Sequence, residues 1–378
     1  MKKEDIVSIV VYLLMIGASV VVGLTAVKDV FLRHYHFSLN NYVFAILAIL
    51  VALIVNIVGL EVFHVLGAKA GHYKILSVNV LWLCFRKKDG KWKLGFKDFD
   101  GLTGETKVAP KDEKSKLGLY VWLPVLAYFV ELIACIVIYT LAGDTNIAPS
   151  ESPLHWMAVA AILFIVVSSM IALYNLVPIK LDSMTDGYRL TLISKKENMD
   201  AYNELMRIEA LQLEGKEIGE IKVFSDITEF TASINLMSVY EEYKKNNYAR
   251  AEELIDMIIV DPKKVSSQTY NRLLSQKLYI KIMTLPLEEV KVYYDKQIDD
   301  SVRKFIANDL SIESLRTYIL IAGLLDESNG EVEFAVSRKD RALKRAAPSR
   351  AETEKLLYEN ALKKVYEAHP DWKANTQA

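Results

Sequence analysis

The chain is 378 residues long, 52% hydrophobic and 25% charged, with a mean hydropathy of +0.17; it is more apolar than an ordinary soluble protein and too charged to lie wholly in a bilayer. Its 46 basic and 47 acidic residues nearly balance, which excludes the electrostatic footprint of a nucleic-acid binder. Two cysteines, Cys84 and Cys135, with no CxxC pair, exclude a disulfide framework and a cysteine zinc site.

From the N terminus, four stretches reach the roughly 20 apolar residues of helix that a hydrocarbon core demands: 6–27, 42–66, 117–142 and 154–175. The first exceeds the roughly 7 to 15 apolar residues of a secretory signal and lacks an A-x-A site, so a retained helix is expected. Lysine and arginine crowd the loop between the second and third spans, among them Lys69, Lys74, Arg86, Lys87, Lys91 and Lys93, while 143–156 contains none. The positive-inside rule then predicts an integral membrane protein with both termini cytoplasmic and outward loops at 28–41 and 143–153. A bacterial cell membrane is the expected setting.

Between the second and third spans, VNVLWLCFRKKDGKWKLGFK at 78–97 sets two β-prone runs around Asp89-Gly90. That dipeptide favours a type I′ turn and predicts a cytoplasmic β-hairpin. Gly101, Gly104 and Pro110 predict a loop leading back to the bilayer. Beyond Gly187, amphipathic stretches at 199–214, 231–246, 249–260, 267–283, 288–308, 312–326 and 351–368 predict helices. Within them, SVYEEYKKNNYARAEELIDMIIVDP resembles one tetratricopeptide-like helix pair, with Tyr240, Tyr243, Tyr248 and Ala251 packing the helices and Pro262 closing the unit. Such a domain would recruit a cytoplasmic protein partner rather than catalyse. Residues 331–350, polar and ending KDRALKRAAPSR, read as a solvated linker. The expected fold is therefore mostly α: a four-span transmembrane helical bundle with a cytoplasmic β-hairpin and an α-helical C-terminal domain, either tetratricopeptide-like or a plain helical bundle. The expected divisions are 1–40, 41–190 and 191–378.

Ionisable groups inside membrane spans are costly and mark function. Glu61 and His64 stand near the end of the second span, Glu131 inside the third, and Asn175 through Asp186 at the end of the fourth. The second and fourth spans run in the same direction, so Glu61, His64, Asn175, Pro178, Asp182 and Asp186 share one membrane face. Glu131 lies about 20 Å deep at a rise of about 1.5 Å per residue, and is expected as a neutral or hydrogen-bonded carboxyl packed against another span. The run Leu60-Glu61-Val62-Phe63-His64 keeps the spacing of H-E-x-x-H with leucine in place of the first histidine. In the full motif, imidazoles at i and i+4 share a zinc ion while the glutamate activates the bound water.

Together, LEVFHVLGAKAGHYKILSVNV and NLVPIKLDSMTDGYRL resemble the site-2 protease family of intramembrane zinc metalloproteases, over roughly 51–190. The resemblance implies a HExxH helix, a cytoplasm-side β element, two spans, an N-x-x-P segment and a D-G whose aspartate binds zinc. By position it implies His64 and Asp186 as metal ligands and Glu61 as the general base. It implies Asn175 and Pro178 as substrate-binding residues, and the hairpin as the place where an unwound membrane-protein segment adds as a strand. The sequence departs from the family at Leu60, which removes one ligand where catalytic zinc uses three and a water, and at Phe63, where the family carries glycine. The D-G also lies farther from the proline than usual, which sets Asp182 in competition with Asp186. His34, His36 and His155 fall in outward loops; His72, on the correct side, is expected as a loop histidine. Three readings follow. The preferred one is a pseudoprotease that binds a membrane-protein segment at the cytoplasmic face; the others are an active zinc metalloprotease with an altered ligand set, and a membrane-anchored helical scaffold or transporter accessory.

Overall fold

The computed structural model describes residues 17, 39–88, 91–96, 104–112, 115–143, 153–178, 184–346 and 348–372. The expected first span other than Gly17, most of both outward loops, His34, His36 and Asp182 lie outside them. The chain divides into two compact units, Met1–Ala210 and Leu211–Ala378.

In the first unit three helices are long and apolar enough to cross a membrane: α1 (Leu39–Ala70), α2 (Leu117–Gly143) and α3 (Pro153–Leu176). The first expected span, 6–27, falls outside the described residues apart from Gly17. Apolar side chains ring α1, with Ile46, Leu50, Ile54 and Val62 exposed as lipid-facing residues are, and its small residues face inward. Ala45 and Ala48 pack with Val159 and Leu163 of α3, and Ala52, one turn on, is fully buried. Small side chains at helical spacing let two spans approach closely where lipid supplies no hydrophobic drive. In mid-span, Asn56 donates to Ala52 O at 2.9 Å and to Ser168 Oγ of α3 at 3.0 Å. Glu131 of α2 interacts with the same serine, which is the hydrogen-bonded packing against another span expected for it.

The loop between α1 and α2 carries a larger β element than the expected hairpin. Strands β1 (Tyr73–Val80), β2 (Leu83–Lys88), β3 (Lys91–Phe96) and β4 (Gly104–Pro110) form one antiparallel sheet in the order β3-β2-β1-β4. The hairpin around residues 89 and 90 is present as β2–β3, with Lys88 opposite Lys91. The segment 104–110, expected as loop, is instead strand β4, paired with β1 from Tyr73↔Pro110 to Val80↔Gly104. Its glycine and proline mark the two ends of an edge strand, where the missing side chain and missing N–H are tolerated, and so mimic a loop signal. A bulge between Ile75 and Ser77 buries both Leu76 and Ser77, as an extra residue in one strand does.

Close backbone contacts tie the sheet to the spans. Lys116 N donates to Gly71 O at 2.8 Å, and a Cβ at Gly71 would stand 2.9 Å from Lys116 O. After α3 come α4 (Asp186–Leu192) and α5 (Lys196–Leu213). Tyr73 at the start of β1 donates to Asn203 of α5 at 2.6 Å.

The second unit is helical: α6 (Glu229–Lys244), α7 (Tyr248–Ile259), α8 (Ser267–Thr284), α9 (Leu287–Gln297), α10 (Asp300–Asn308), α11 (Ile312–Leu320), α12 (Asn329–Arg345) and α13 (Pro348–Ala368). Helices α6 and α7 form the expected pair, with Tyr240, Tyr243 and Ala251 buried between them and Tyr243 6.0 Å from Tyr248, ring to ring. The expected helix 288–308 is broken in two by Asp299, whose carboxylate accepts from the Ser301 and Val302 amides and starts α10. Residues 331–350, expected as linker, belong mostly to α12, which buries only Val332, Ala335 and Ala342. Three small apolar residues among charges leave too faint a periodicity to announce a helix. The core of this unit holds a fully buried ion pair between Arg316 and Glu354 at 2.5 Å. The guanidinium also donates to Gln276 and lies over the Tyr279 ring, 4.6 Å from its centre.

Candidate functional site

Glu61 and His64 are three residues apart on α1, so both project from one helix face, and both are buried at the end of the span that leads into the sheet. Asp186 reaches them from α4. Its position follows from a local construction after α3: the Thr185 hydroxyl donates to Val177 O at 2.6 Å and accepts from Tyr188 N at 3.2 Å, capping α4. Gly187 lets α4 pass directly over the end of α3, since a Cβ there would collide with the backbone carbonyl of Leu176. This close approach is a physical reason for glycine after the aspartate.

The result brings together residues far apart in sequence. His64 Nε2 lies 3.5 Å from Asp186 Oδ1, with both side chains almost fully buried. Glu61 Oε2 accepts from the Thr106 hydroxyl of β4 at 2.5 Å, and Gly104 of the same strand lies flat against the glutamate, where a Cβ would be 2.5 Å from Oε1. Tyr120, in the first turn of α2, stacks obliquely 6.0 Å from His64 and 5.4 Å from Tyr73, and donates to Thr106 O at 3.2 Å. Asn175 is half-buried at the end of α3. It interacts with the Tyr128 side chain of α2, although the Tyr128 hydroxyl makes no hydrogen bond of standard geometry. Pro178 is exposed, one residue beyond the Val177 carbonyl that Thr185 holds. His72 is an exposed turn residue with φ +61°, as expected of a loop histidine.

Three residues of the site were missed by reading the sequence: Arg189, Thr106 and Tyr120. Arg189, one turn after Asp186, donates from Nη1 to Asp186 Oδ1 at 3.0 Å. Burial works against its charge, but Tyr202, Tyr120, Asp186 and Glu61 around it more than offset that cost and hold its pKa above the ordinary value. The i, i+3 spacing of Asp186 and Arg189 at a helix start was the available signal; Thr106 and Tyr120 gave none.

The donor set can be tested against zinc. Two ligands of one tetrahedral zinc, with bonds of about 2.0–2.1 Å, stand about 3.3 Å apart, and the 3.5 Å between His64 Nε2 and Asp186 Oδ1 is close to that. Three other features do not fit. Leu60 supplies no third ligand, and among the described residues no three His, Cys, Asp or Glu side chains are grouped to share a metal. The oxygen that would bind the ion, Asp186 Oδ1, already accepts from a permanently charged guanidinium. His64 Nδ1 is buried without a hydrogen-bond partner, whereas a metal-bound histidine almost always donates its second nitrogen to a neighbour. The residues present form a closed polar cluster.

Compared with protein-family models, with curated proteins and with solved structures, the chain matches none. The reading of the site therefore rests on its own residues and on the motif resemblance.

Proposed function

We propose that this is a site-2-protease-like integral membrane protein that has lost proteolysis and binds a membrane-protein segment at the cytoplasmic ends of its spans, while its helical C-terminal unit recruits a cytoplasmic partner. The observation that carries the reading is the shared oxygen: Asp186 Oδ1 lies 3.5 Å from His64 Nε2 and accepts from Arg189 at 3.0 Å. The first distance suits the retained geometry of a ligand pair. The second puts a fixed positive charge on the oxygen a metal would use, so Arg189 neutralises Asp186 where a cation would otherwise do so. Leu60 points the same way. In this proposal Glu61, held by Thr106 and walled by Gly104, serves as a structural carboxyl rather than as a base.

Zinc content of the full-length protein, purified in detergent, tests the reading. Wild type is expected to carry no stoichiometric zinc, and Leu60→His alone should remain low because Arg189 still occupies Asp186. Leu60→His combined with Arg189→Met should gain about one zinc per chain, the stoichiometry of a completed mononuclear site. Stoichiometric zinc in wild type would overturn the proposal in favour of a working metalloprotease with a substitute ligand, a reading that the convergence of Glu61, His64 and Asp186 supports.

A further inference from the structure

The β2–β3 hairpin is two-faced. Its register sets Phe85 opposite Leu94 and Lys87 opposite Trp92, while Arg86 stands opposite Lys93. Because side chains alternate along a strand, Phe85, Trp92, Leu94 and Phe96 share one face and Arg86, Lys91 and Lys93 the other. The apolar face is open: Trp92 is 51% exposed, Leu94 59% and Phe96 79%. Strand β3 is the free edge of the sheet. In water this arrangement is unfavourable on the aromatic face, which is solvated, while the other face gathers Arg86 and Lys93 across the ladder.

The sheet is also tied to the ends of two apolar helices. Span α1 ends at Ala70 and β1 begins at Tyr73, while β4 ends at Pro110 and span α2 begins at Leu117. These connections of two and six residues start the sheet at the ends of the apolar helices, the level at which a bilayer around them would expose its headgroups, and the hairpin strands are about 20 Å long. Aromatic residues with adjacent lysines are the composition that level selects.

We propose that the β2–β3 hairpin seats on the anionic lipid leaflet at this end of the spans. Trp92, Leu94 and Phe96 enter the boundary between headgroups and acyl chains. Lys87, beside Trp92 on the same face, extends its amine to the phosphates as long basic side chains do. Arg86, Lys91 and Lys93 stay one sheet thickness from the surface, comparable with the Debye length of about 8 Å, so they still feel the negative surface potential. Lipid is favoured over a protein partner because it answers both features at once: apolar depth for one face and anionic charge for the lysines. This seating is independent of whether the buried cluster binds zinc.

The test is a spin label at position 94 (Leu94→Cys) in the full-length protein with Cys84→Ala and Cys135→Ala, reconstituted in phosphatidylcholine vesicles with and without phosphatidylglycerol. Collisions with oxygen report lipid, and collisions with a water-soluble nickel chelate report solvent. With phosphatidylglycerol the label should favour oxygen; Lys87→Gln should lower the seated-to-free ratio about fivefold, and Lys91→Gln and Lys93→Gln, farther from the surface, should each lower it less. A label open to the nickel chelate in both vesicles overturns the proposal, as does one shielded from both reagents, which would mean a protein covers the face. An unlabelled check covers the case in which the labelled protein misfolds. Brominated phosphatidylglycerol should quench the tryptophan fluorescence of the wild-type chain more than that of Trp92→Phe, and equal quenching overturns the seating.

Discussion

Replacing Arg189 by methionine probes the central feature of the candidate site, since it keeps an unbranched apolar stem and removes the guanidinium and its charge. The wild-type guanidinium donates to Asp186 Oδ1 at 3.0 Å, with the two side chains 17% and 4% exposed. Two unit charges about 4 Å apart at an effective permittivity of about 20 attract by about 4 kcal/mol. Breaking a buried pair by deleting one partner costs about 3–5 kcal/mol, because the other charge is left uncompensated. Here the remaining carboxylate also faces Glu61. A loss near the lower limit, about 3 kcal/mol, raises the opening equilibrium of α4 by about two orders of magnitude. Amide hydrogen exchange across 186–192 in the full-length protein in detergent reads that opening directly. Protection there should fall about a hundredfold in Arg189→Met and recover largely in Arg189→Met with Asp186→Asn, where no orphaned charge remains. If the single variant exchanges like wild type, the guanidinium does not neutralise Asp186, and that carboxylate stays open to a cation.

Other outcomes follow from the same geometry. Gly187→Ala should disrupt the membrane unit more than any other glycine-to-alanine change at the site, because the new Cβ meets the Leu176 carbonyl and the backbone has to move; the loss of monodisperse protein in size-exclusion chromatography measures it. In the helical unit, Arg316→Met should destabilise by about 3–5 kcal/mol in urea unfolding followed by circular dichroism, and adding Glu354→Leu should restore much of it. Asp299→Ala should cost about 1 kcal/mol at neutral pH by uncapping α10. Hydrogen bonds from Ser301 and Val302 hold the Asp299 carboxyl below its ordinary pKa. Its contribution is therefore present above about pH 4 and disappears as pH falls through the lowered value, so the two proteins should converge in stability in acid.

The three described spans were legible to within a few residues because about 20 apolar residues in a row have little alternative to a membrane helix. The hairpin around residues 89 and 90 was legible from its turn chemistry and alternating strands. Strand β4 was not, because its partner β1 lies more than twenty residues upstream and pairing of that range leaves no local mark. Helix α12 was hidden for a different reason: its contacts use two alanines and a valine, and charge dominates the rest of the segment. At the site, Glu61, His64 and Asp186 were each visible as misplaced ionisable groups, and topology put them on one membrane face.

The sequence by itself determined which segments are apolar enough to span, where the hairpin turns, and which polar residues interrupt or end the apolar runs, since these depend on composition and short-range spacing. Only the tertiary structure decided what those polar residues touch. That Thr106 and Gly104 enclose Glu61, that Asp186 approaches His64 to 3.5 Å, and that Arg189 takes the same oxygen depend on how α4 crosses the end of α3 and on how β4 lies over α1. Apart from the local Asp186–Arg189 pair, these contacts join residues separated by 43 to 122 positions, and at that range sequence spacing carries no distance.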